Sequence, residues 1–600
     1  GPGVNIYRTP LNGRNFEYMG EDPYLASRMV VPYIREVQKN GVAACVKHFA
    51  LNNQEIYRGH INVQVDDRAL HEIYLPAFKA AVHEGQAWAI MGSYNKYKGE
   101  HCCHNQYLLN DLLKRDWGFD GVVVSDWGGV HDTKEAIFNG LDMEFGSWTN
   151  GLNWGQSNAY DNYYLAHPYL NLIKKGEVTE KELNDKVRRI LRLVFRTNMA
   201  KERHFGSFGT EEHALAGRTI AQQGIVLLQN KKNVLPVDAS KVKRVLVVGE
   251  NAVKRMTVGG GSSSLKAKYE VSPLEGIKAR LGDGAEVIYS PGYASPAVKE
   301  QDVLGAEEPD KMEIDADALR NDAVKWAKDA DVVFFVGGLN KNDGQDCEGN
   351  DRSSLSLPYE QDQLIAELAK ANPNTVVVII SGNAVAMPWV KQVPAIVEAW
   401  YSGTEAGNAL ASILFGDVNP SGKLPFTFPA RLEDNGAHAL GEHPGDSINV
   451  KYNESIFVGY RWADKQKKTK PLFAFGHGLS YTTFAYGKAT ATKKSLTADE
   501  TITFTVPVKN TGSREGSEVV QLYIGDKKSA LPRPIKELKG FSKVKLAPGE
   551  EKMVSFTIDK TDLSYFDDTQ NRWVAEPGVF EAFVGASSAD IRSTVSFELK

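Results

Sequence analysis

Cysteine is scarce in this chain, and long apolar runs and a strong net charge are missing. Four cysteines in 600 residues, with no Cys-x-x-Cys pair, exclude a disulfide framework and the common zinc-binding spacing. No apolar run approaches the ~20 residues that a membrane-spanning helix needs, so we predict no membrane span. The formal net charge of -5, from 75 acidic and 70 basic residues, gives no electrostatic basis for binding nucleic acid or an anionic membrane surface.

One local cluster of potential metal ligands is His101-Cys102-Cys103-His104. Adjacent side chains in a strand or a turn point apart, so consecutive residues reach a single ion poorly, and we predict no metal site. The sequence leaves the redox state of these two cysteines, of Cys45 and of Cys347 open. The glycine run before Ser262 has neither spacing of the nucleotide-binding loops, and no other pattern predicts a cofactor.

Alternation of buried strands with amphipathic helices divides the chain into units. We predict a (β/α) TIM-like barrel domain at 1–198, a linker at 199–211, an α/β/α doubly wound sandwich at 212–428, a connecting region at 429–487 and a β-sandwich at 488–600. Only about four to six strands are recognisable in the first unit, against the eight of a complete barrel. We therefore expect this barrel to lack strands at its amino-terminal end.

Polar side chains follow three successive apolar strands of the first unit. The predicted strand 41–46 is followed by Lys47 and His48, the strand 87–91 by Tyr94, and the strand 121–125 by Asp126 and Trp127. The carboxyl ends of parallel strands meet at one rim, so we expect these side chains to converge. Such donors and acceptors beside an aromatic face suit a neutral polyol. Glycosidic cleavage needs a second carboxyl group as well, and the first unit alone does not identify it.

A series of motifs runs in order from the first residue to the last hundred. They are GPGVNIYRTPLNGRNFEYMGEDPYL at 1–25, KHFALNNQEIYR at 47–58, VDDRALHEIYL at 65–75, MGSYN at 91–95, VVVSDW at 122–127, EGNDRSSLSLP at 348–358, SGKLPFTFP at 421–429, FGHGLSYTTF at 475–484 and RPIKELKGFSKV at 533–544. Together they resemble the signatures of glycoside hydrolase family 3, in its bacterial β-glucosidase branch. The last motif resembles the fibronectin-type-III-like domain of that family.

The resemblance implies a retaining exo-β-glucosidase with its site between the first two domains. Asp126 of the SDW motif matches the nucleophile of the family, and Glu348 of the EGxDR motif matches its general acid/base. The positions that match sugar-binding residues of the family are Arg14, Lys47, His48, Arg58, Met91, Tyr94, Trp127 and Ser262. The resemblance implies a carbohydrate substrate and no cofactor. Because the family is often exported, we expect a periplasmic or secreted location.

Departures from the family pattern keep alternatives open. A stretch that precedes GPGVNI in the family, with an Asp that grips the terminal glucose, is not in this sequence. One alternative is therefore a catalytically impaired carbohydrate-binding protein. A β-xylosidase or another exo-glycosidase of the family is the nearer alternative, because the sequence does not show the shape of the pocket near C6. KHFALNNQEIYR differs from the KHFPGHG of the N-acetylglucosaminidase branch and argues against it. The oligomeric state is open, a homodimer included.

Overall fold

A computed structural model describes residues 1–146, 159–197, 199, 206–257, 260–295, 315–466 and 469–600. These residues build an α/β layer, an α/β/α sandwich and a β-sandwich, joined by a region of short elements. The predicted fold class is confirmed. Residues 200–205 of the predicted linker lie outside the described residues, and a helix begins at Glu211. No helix among the described residues is both long enough and apolar enough to cross a membrane.

The first domain is built on a parallel sheet of three strands, Cys45–Phe49, Ala89–Gly92 and Val122–Val124. Parallel bridges from Gly3 to Lys47 and from Val124 to Met143 extend it on both sides. The α-helices of this layer are Pro23–Lys39, Asp67–Ala69, Pro76–His83, Thr133–Phe138, His167–Lys174 and Glu180–Arg196, and π-helical turns occupy Leu70–Tyr74 and Gln106–Asp116. Val122–Val124 is buried along its whole length, as expected for a strand covered on both faces.

The helix Pro23–Lys39 shows how local sequence and tertiary contacts agree. Asp22 caps it by accepting a hydrogen bond from the Leu25 N–H at 2.8 Å, and a proline at the first position needs no N–H partner. The other carboxylate oxygen of Asp22 accepts from Arg461 at 2.8 Å and from the Tyr460 hydroxyl at 2.9 Å. The start of this helix is therefore tied to the connecting region.

The second domain has a six-stranded sheet with helices on both faces. Its strands, in spatial order, are Val226–Asn230, Ala395–Glu398, Thr375–Ile380, Val332–Gly338, Arg244–Val248 and Glu286–Ser290. All neighbours pair in parallel except the first two. The helices are Glu211–Gly224, Pro273–Leu281, Ala316–Ala327, Gln361–Ala371 and Ala406–Leu414. The doubly wound sandwich was predicted; the antiparallel edge strand Val226–Asn230 was not.

The connecting region returns to the first domain. Its strand Asn449–Lys451 pairs in parallel with Asn62–Gln64, in a small sheet that also contains Lys96–Tyr97 and Glu100–His101. Two short helices, Gly436–Ala439 and Tyr460–Lys465, complete it. Lys96–Tyr97 closely follows the strand Ala89–Gly92 in the chain. Its place in this small sheet therefore also holds the carboxyl end of that strand.

The third domain is a β-sandwich. One sheet contains Phe484–Tyr486, Thr490–Ala491, Ile502–Asn510 and Glu551–Ile558, the other Ser495–Leu496, Gly516–Asp526, Glu537–Leu546, Gly578–Gly585 and Ile591–Leu599. Alternate residues of Ile502–Asn510 are buried, the pattern of a strand with one face on a core. A two-stranded ribbon, Tyr565–Asp567 with Arg572–Val574, contacts the first domain, where the Phe566 N–H donates to Glu72 at 2.9 Å.

Candidate active site

Asp126 lies just beyond the buried strand Val122–Val124 and is only 7% exposed. One carboxylate oxygen, Oδ1, accepts a hydrogen bond from the Trp127 N–H at 2.8 Å. The other, Oδ2, is buried and has no hydrogen-bond partner among the described residues. Burial raises the pKa of Asp126 above its usual value, although Arg14 opposes the shift. The nearby Tyr94 hydroxyl also opposes the shift. Oδ1 is thus held by a main-chain N–H, whereas Oδ2 accepts from no main-chain group of the described residues.

His48 stands beside that free oxygen. Its Nε2 lies 3.6 Å from Asp126 Oδ2 and is likewise buried without a hydrogen-bond partner in the part of the chain that the structure describes. Its Nδ1 is 3.3 Å from the Tyr18 hydroxyl. Burial, with the nearby cations Arg14 and Lys47, holds the pKa of His48 well below its ordinary value. The imidazole is therefore neutral at physiological pH.

Glu348 comes from a loop of the second domain that follows the strand Val332–Gly338. Its Oε1 is 2.9 Å from Arg58 Nη2 and 3.4 Å from Arg14 Nη1, and its Oε2 accepts from the Ser262 N–H at 2.6 Å. Burial alone would raise the pKa of Glu348, but Arg14, Ser262 and Arg58 together lower it to about 2. In this state Glu348 is an ionised carboxylate.

The cations predicted to bind sugar contact carboxylates here. Arg14 is buried and pairs through Nε with Glu17, besides its contacts with Glu348 and, at 3.5 Å, with the Ser262 hydroxyl. Lys47 Nζ is 3.3 Å from Glu17 Oε2. These pairings converge on one small volume, where charged donors suited to sugar hydroxyls are held in place by acidic side chains.

Three less polar residues line the same region. The Arg58 guanidinium lies over the Tyr94 ring, 4.5 Å from its centroid. Met91 is half-buried and in register with Val124 of the neighbouring strand. Trp127 is 57% exposed and stacks on Phe145 with ring centroids 4.9 Å apart. An exposed, supported indole beside Asp126 offers a flat wall for a ring to pack against.

The Glu348 loop is anchored to the first domain mainly through backbone groups. Asp351 Oδ1 accepts from the Gly13 N–H at 3.1 Å and the Glu55 N–H at 2.8 Å, and Oδ2 from the Ile56 N–H at 3.3 Å. A Cβ on Gly13 would lie 2.1 Å from the Asn350 carbonyl oxygen, so only glycine permits this approach. Asp351, three residues after Glu348, therefore holds the Glu348 loop against the first domain.

Sequence reasoning missed several residues of this region. Glu17 and Tyr18 flank the sugar-binding candidates, and Glu55 bonds Arg58 at 2.7 Å and the Gly349 N–H at 2.8 Å. Burial raises the pKa of Glu55 to about 7, against the opposing effect of Arg58. Glu17, Tyr18 and Glu55 lie inside the motifs at 1–25 and 47–58, and this position was the one signal that could have identified them as site residues.

Lys341 was also missed. Its Nζ is buried without a hydrogen-bond partner among the described residues. It lies 3.2 Å from the ring centroid of Phe16, in the first domain, and 3.6 Å from that of Tyr401, in the second. The Tyr401 hydroxyl donates to Asp346 Oδ2 at 2.6 Å. This ammonium therefore sits in the joint between the two domains, at the start of the Glu348 loop.

All ten predicted site residues are described, and the structure gathers them at this joint, although their catalytic and binding roles remain predictions. Two carboxyl groups from separate domains, with hydroxyl-binding cations around them, are the arrangement of a glycoside hydrolase. Residues 1–193 match the glycosyl hydrolase family 3 N terminal domain, 225–481 the glycosyl hydrolase family 3 C-terminal domain, and 518–588 the fibronectin type III-like domain. The chain belongs to glycoside hydrolase family 3.

Three relatives illustrate the likeness. The chain is 56% identical over 607 residues to β-glucosidase BoGH3A of Bacteroides ovatus, covering all of this chain and 80% of the relative. It is 36% identical to an exo-α-(1→6)-L-arabinopyranosidase of Bifidobacterium breve, covering all of this chain and 75% of the relative. The crystal structure of a Bifidobacterium adolescentis β-glucosidase of the family matches all of this chain and 82% of its own, with 36% identity and a TM-score of 0.87.

Proposed function

We propose that this chain is a retaining exo-β-glucosidase, which hydrolyses terminal non-reducing β-D-glucosyl residues from β-glucosides and short gluco-oligosaccharides. The observation that carries the proposal is the position of Arg14. It lies 3.4 Å from Glu348 and is also close enough to Asp126 to lower the pKa of that carboxyl. Two carboxyl groups thus share one cation-lined space across a domain joint, and the high identity to a β-glucosidase supports glucose as the sugar.

In the proposed reaction Asp126 attacks the anomeric carbon and forms a glycosyl ester. Glu348 gives its proton to the glycosidic oxygen as the bond from that oxygen to the carbon breaks. Glu348, now a carboxylate, takes a proton from water, and the water oxygen displaces Asp126 from the same carbon. Two displacements restore the original configuration, and both carboxyl groups return to their starting states.

The first step needs a protonated Glu348, whereas its contacts with Arg14, Ser262 and Arg58 keep it ionised. The two arginines, 3.4 and 2.9 Å from Glu348, are also predicted sugar-binding cations. A bound sugar that takes hydrogen bonds from these arginines would weaken their hold on Glu348. Burial, which already favours the protonated form, would then raise its pKa. We propose that substrate binding itself prepares the acid.

The test uses aryl glucosides with the parent chain, Asp126→Asn and Glu348→Gln. The parent should hydrolyse p-nitrophenyl β-D-glucoside, and Asp126→Asn should be inactive. Glu348→Gln should still react with 2,4-dinitrophenyl β-D-glucoside, whose leaving group needs no acid, and azide should convert the trapped ester to β-D-glucosyl azide. Glu36→Gln, a change at an exposed carboxyl 70% open to solvent, is the control. An α-configured azide product would contradict retention.

A second candidate is another exo-glycosidase activity of the same family. The relative of Bifidobacterium breve is named for L-arabinopyranoside release, and arabinopyranose, like xylose, lacks the hydroxymethyl group of glucose. Comparing kcat/KM on p-nitrophenyl β-D-glucoside, β-D-xyloside and α-L-arabinopyranoside decides between these activities. If the parent hydrolyses none of them but binds cellobiose in calorimetry, the chain is a carbohydrate-binding protein.

We also propose that the protein works in the periplasm or outside the cell, as expected from its family. Fractionation of the cells that produce the protein, with activity assayed in each fraction, tests the location. We propose a homodimer as the assembly to test, and light scattering measures whether the protein forms one in solution.

A further inference from the structure

Two buried polar atoms face each other beside the reacting carboxyl. Asp126 Oδ2 and His48 Nε2 are 3.6 Å apart, and neither has a hydrogen-bond partner among the described residues. Buried polar atoms are seldom left unpaired, because each costs free energy. A single hydroxyl oxygen about 2.8 Å from both atoms fits this spacing. The spacing of the two atoms therefore allows them to share one hydroxyl group of a bound molecule.

Such sharing works in only one protonation pattern of the imidazole. Asp126 is an acceptor when ionised, so the hydroxyl must give its proton to Oδ2 and receive a hydrogen bond from His48. His48 is neutral, as shown above, and therefore carries one N–H. The N–H must be on Nε2, which leaves Nδ1 as an acceptor in need of a donor.

Tyr18 is placed to be that donor. Its hydroxyl is 3.3 Å from His48 Nδ1, and burial raises the pKa of Tyr18 well above its usual value, so the O–H is retained. The main chain of His48 is held as well, since Asn5 accepts from the His48 N–H at 2.7 Å and donates to the His48 carbonyl at 2.9 Å. The tautomer of the buried ring is then selected by the hydrogen bond at Nδ1.

We propose that Tyr18 is a positioning residue that fixes the Nε2–H tautomer of His48 and so orients the sugar hydroxyl next to the reacting carbon. Asp126 bonds to the anomeric carbon in the proposed function, on which this inference rests. The hydroxyl in reach of its other oxygen is then the 2-hydroxyl, whose hydrogen bonds strengthen in the transition state. Tyr18 never touches the sugar; it acts through His48.

The test removes the Tyr18 hydroxyl and the sugar 2-hydroxyl separately and together. Tyr18→Phe should lower kcat/KM for p-nitrophenyl β-D-glucoside by about 10- to 100-fold, mostly in kcat, the effect of losing about 1.4–2.8 kcal/mol of transition-state stabilisation. For p-nitrophenyl 2-deoxy-β-D-glucoside the same change should matter less than about twofold, because the hydroxyl served by Tyr18 is already missing. Thermal unfolding of the variant checks that its fold is retained.

Tyr481→Phe is the matched control, because that hydroxyl donates to the Ile413 carbonyl at 2.9 Å inside the second domain. It should leave both rates unchanged. An equal loss on the two substrates with Tyr18→Phe would show a merely structural role and overturn the inference, as would no loss on either. If the parent is inert on every glycoside, the proposed function has failed and the inference with it, an outcome distinct from an active parent that is indifferent to Tyr18.

Discussion

Lys341 supplies a prediction that runs against the usual view of an interdomain contact as stabilising. Its ammonium lies between Phe16 and Tyr401, without a hydrogen bond from any described residue. Burial lowers the pKa of Lys341 to about 7, while Asp346, Glu17 and Cys347 act in the opposite direction. The folded protein therefore holds a lysine less readily protonated than the same lysine in the unfolded chain.

The magnitude follows from linkage. Lowering the lysine pKa from 10.5 to about 7 costs about 4–5 kcal/mol of folding free energy at and below neutral pH. Two aromatic faces at these distances favour the charged form by about 2–3 kcal/mol together. They reduce the cost to about 2 kcal/mol and lessen the lowering of the Lys341 pKa by the same proportion. The cost is complete below the folded pKa and disappears as pH rises towards the unfolded value, where the unfolded chain is neutral too.

Lys341→Met keeps the length of the side chain and removes the charge. At pH 6.5 it should stabilise the protein by about 2 kcal/mol and raise the Tm of the two coupled domains, about 400 residues together, by about 2–3 °C. At pH 9.5 the gain should be clearly smaller. Differential scanning calorimetry at both pH values measures this, with Lys241→Met, whose side chain is 80% exposed, as the charge-matched control. A lower Tm for Lys341→Met, or an equal gain at both pH values, would refute the reasoning.

Three further predictions concern activity on p-nitrophenyl β-D-glucoside. Asp351→Asn should lower kcat/KM about 10- to 100-fold, because an amide cannot accept hydrogen bonds at both ends and the Glu348 loop loses its anchor; full activity would contradict this. Trp127→Ala should raise KM about tenfold but change the unfolding free energy by less than about 1 kcal/mol, since the ring is exposed. Steady-state kinetics and calorimetry measure the two quantities, and an unchanged KM would contradict the prediction. Gly261→Ala should lower kcat about 100-fold, because the φ of Gly261 is +91° and a Cβ there would lie 2.7 Å from Glu348 Oε2. Gly344→Ala is the control and should leave kcat unchanged, because no heavy atom lies within 4 Å of its Cβ.

The carboxyl-end rim was predictable because it depends on local pattern. Three apolar runs ending in polar residues identify parallel strands, and strands in one sheet bring those ends together. Asp126, Lys47 and His48 follow from this logic alone. The antiparallel edge strand Val226–Asn230 did not, because its place is decided by pairing with Ala395–Glu398, more than 160 positions later in the chain.

The other half of the site is determined by contacts that local sequence does not encode. Glu348 lies on a loop, and its charge is set by Arg14, Arg58 and Ser262, all more than 80 positions earlier in the chain. Without the family resemblance, nothing distinguishes Glu348 from any loop carboxylate. Lys341 shows the same limit: a lysine in a polar loop predicts a solvated charge, and only the docking of two domains buries it.

Part of the joint between the first two domains is made by contacts to peptide groups. Asp351 accepts from main-chain N–H groups of the first domain, and Arg352 donates to the carbonyls of Pro10 at 3.2 Å and Leu11 at 2.7 Å. Every residue type offers a carbonyl, and every type but proline an N–H. Side chains around Asp126 and Glu348 can thus be exchanged over evolutionary time while these contacts keep the two domains aligned, because the contacts do not depend on residue type.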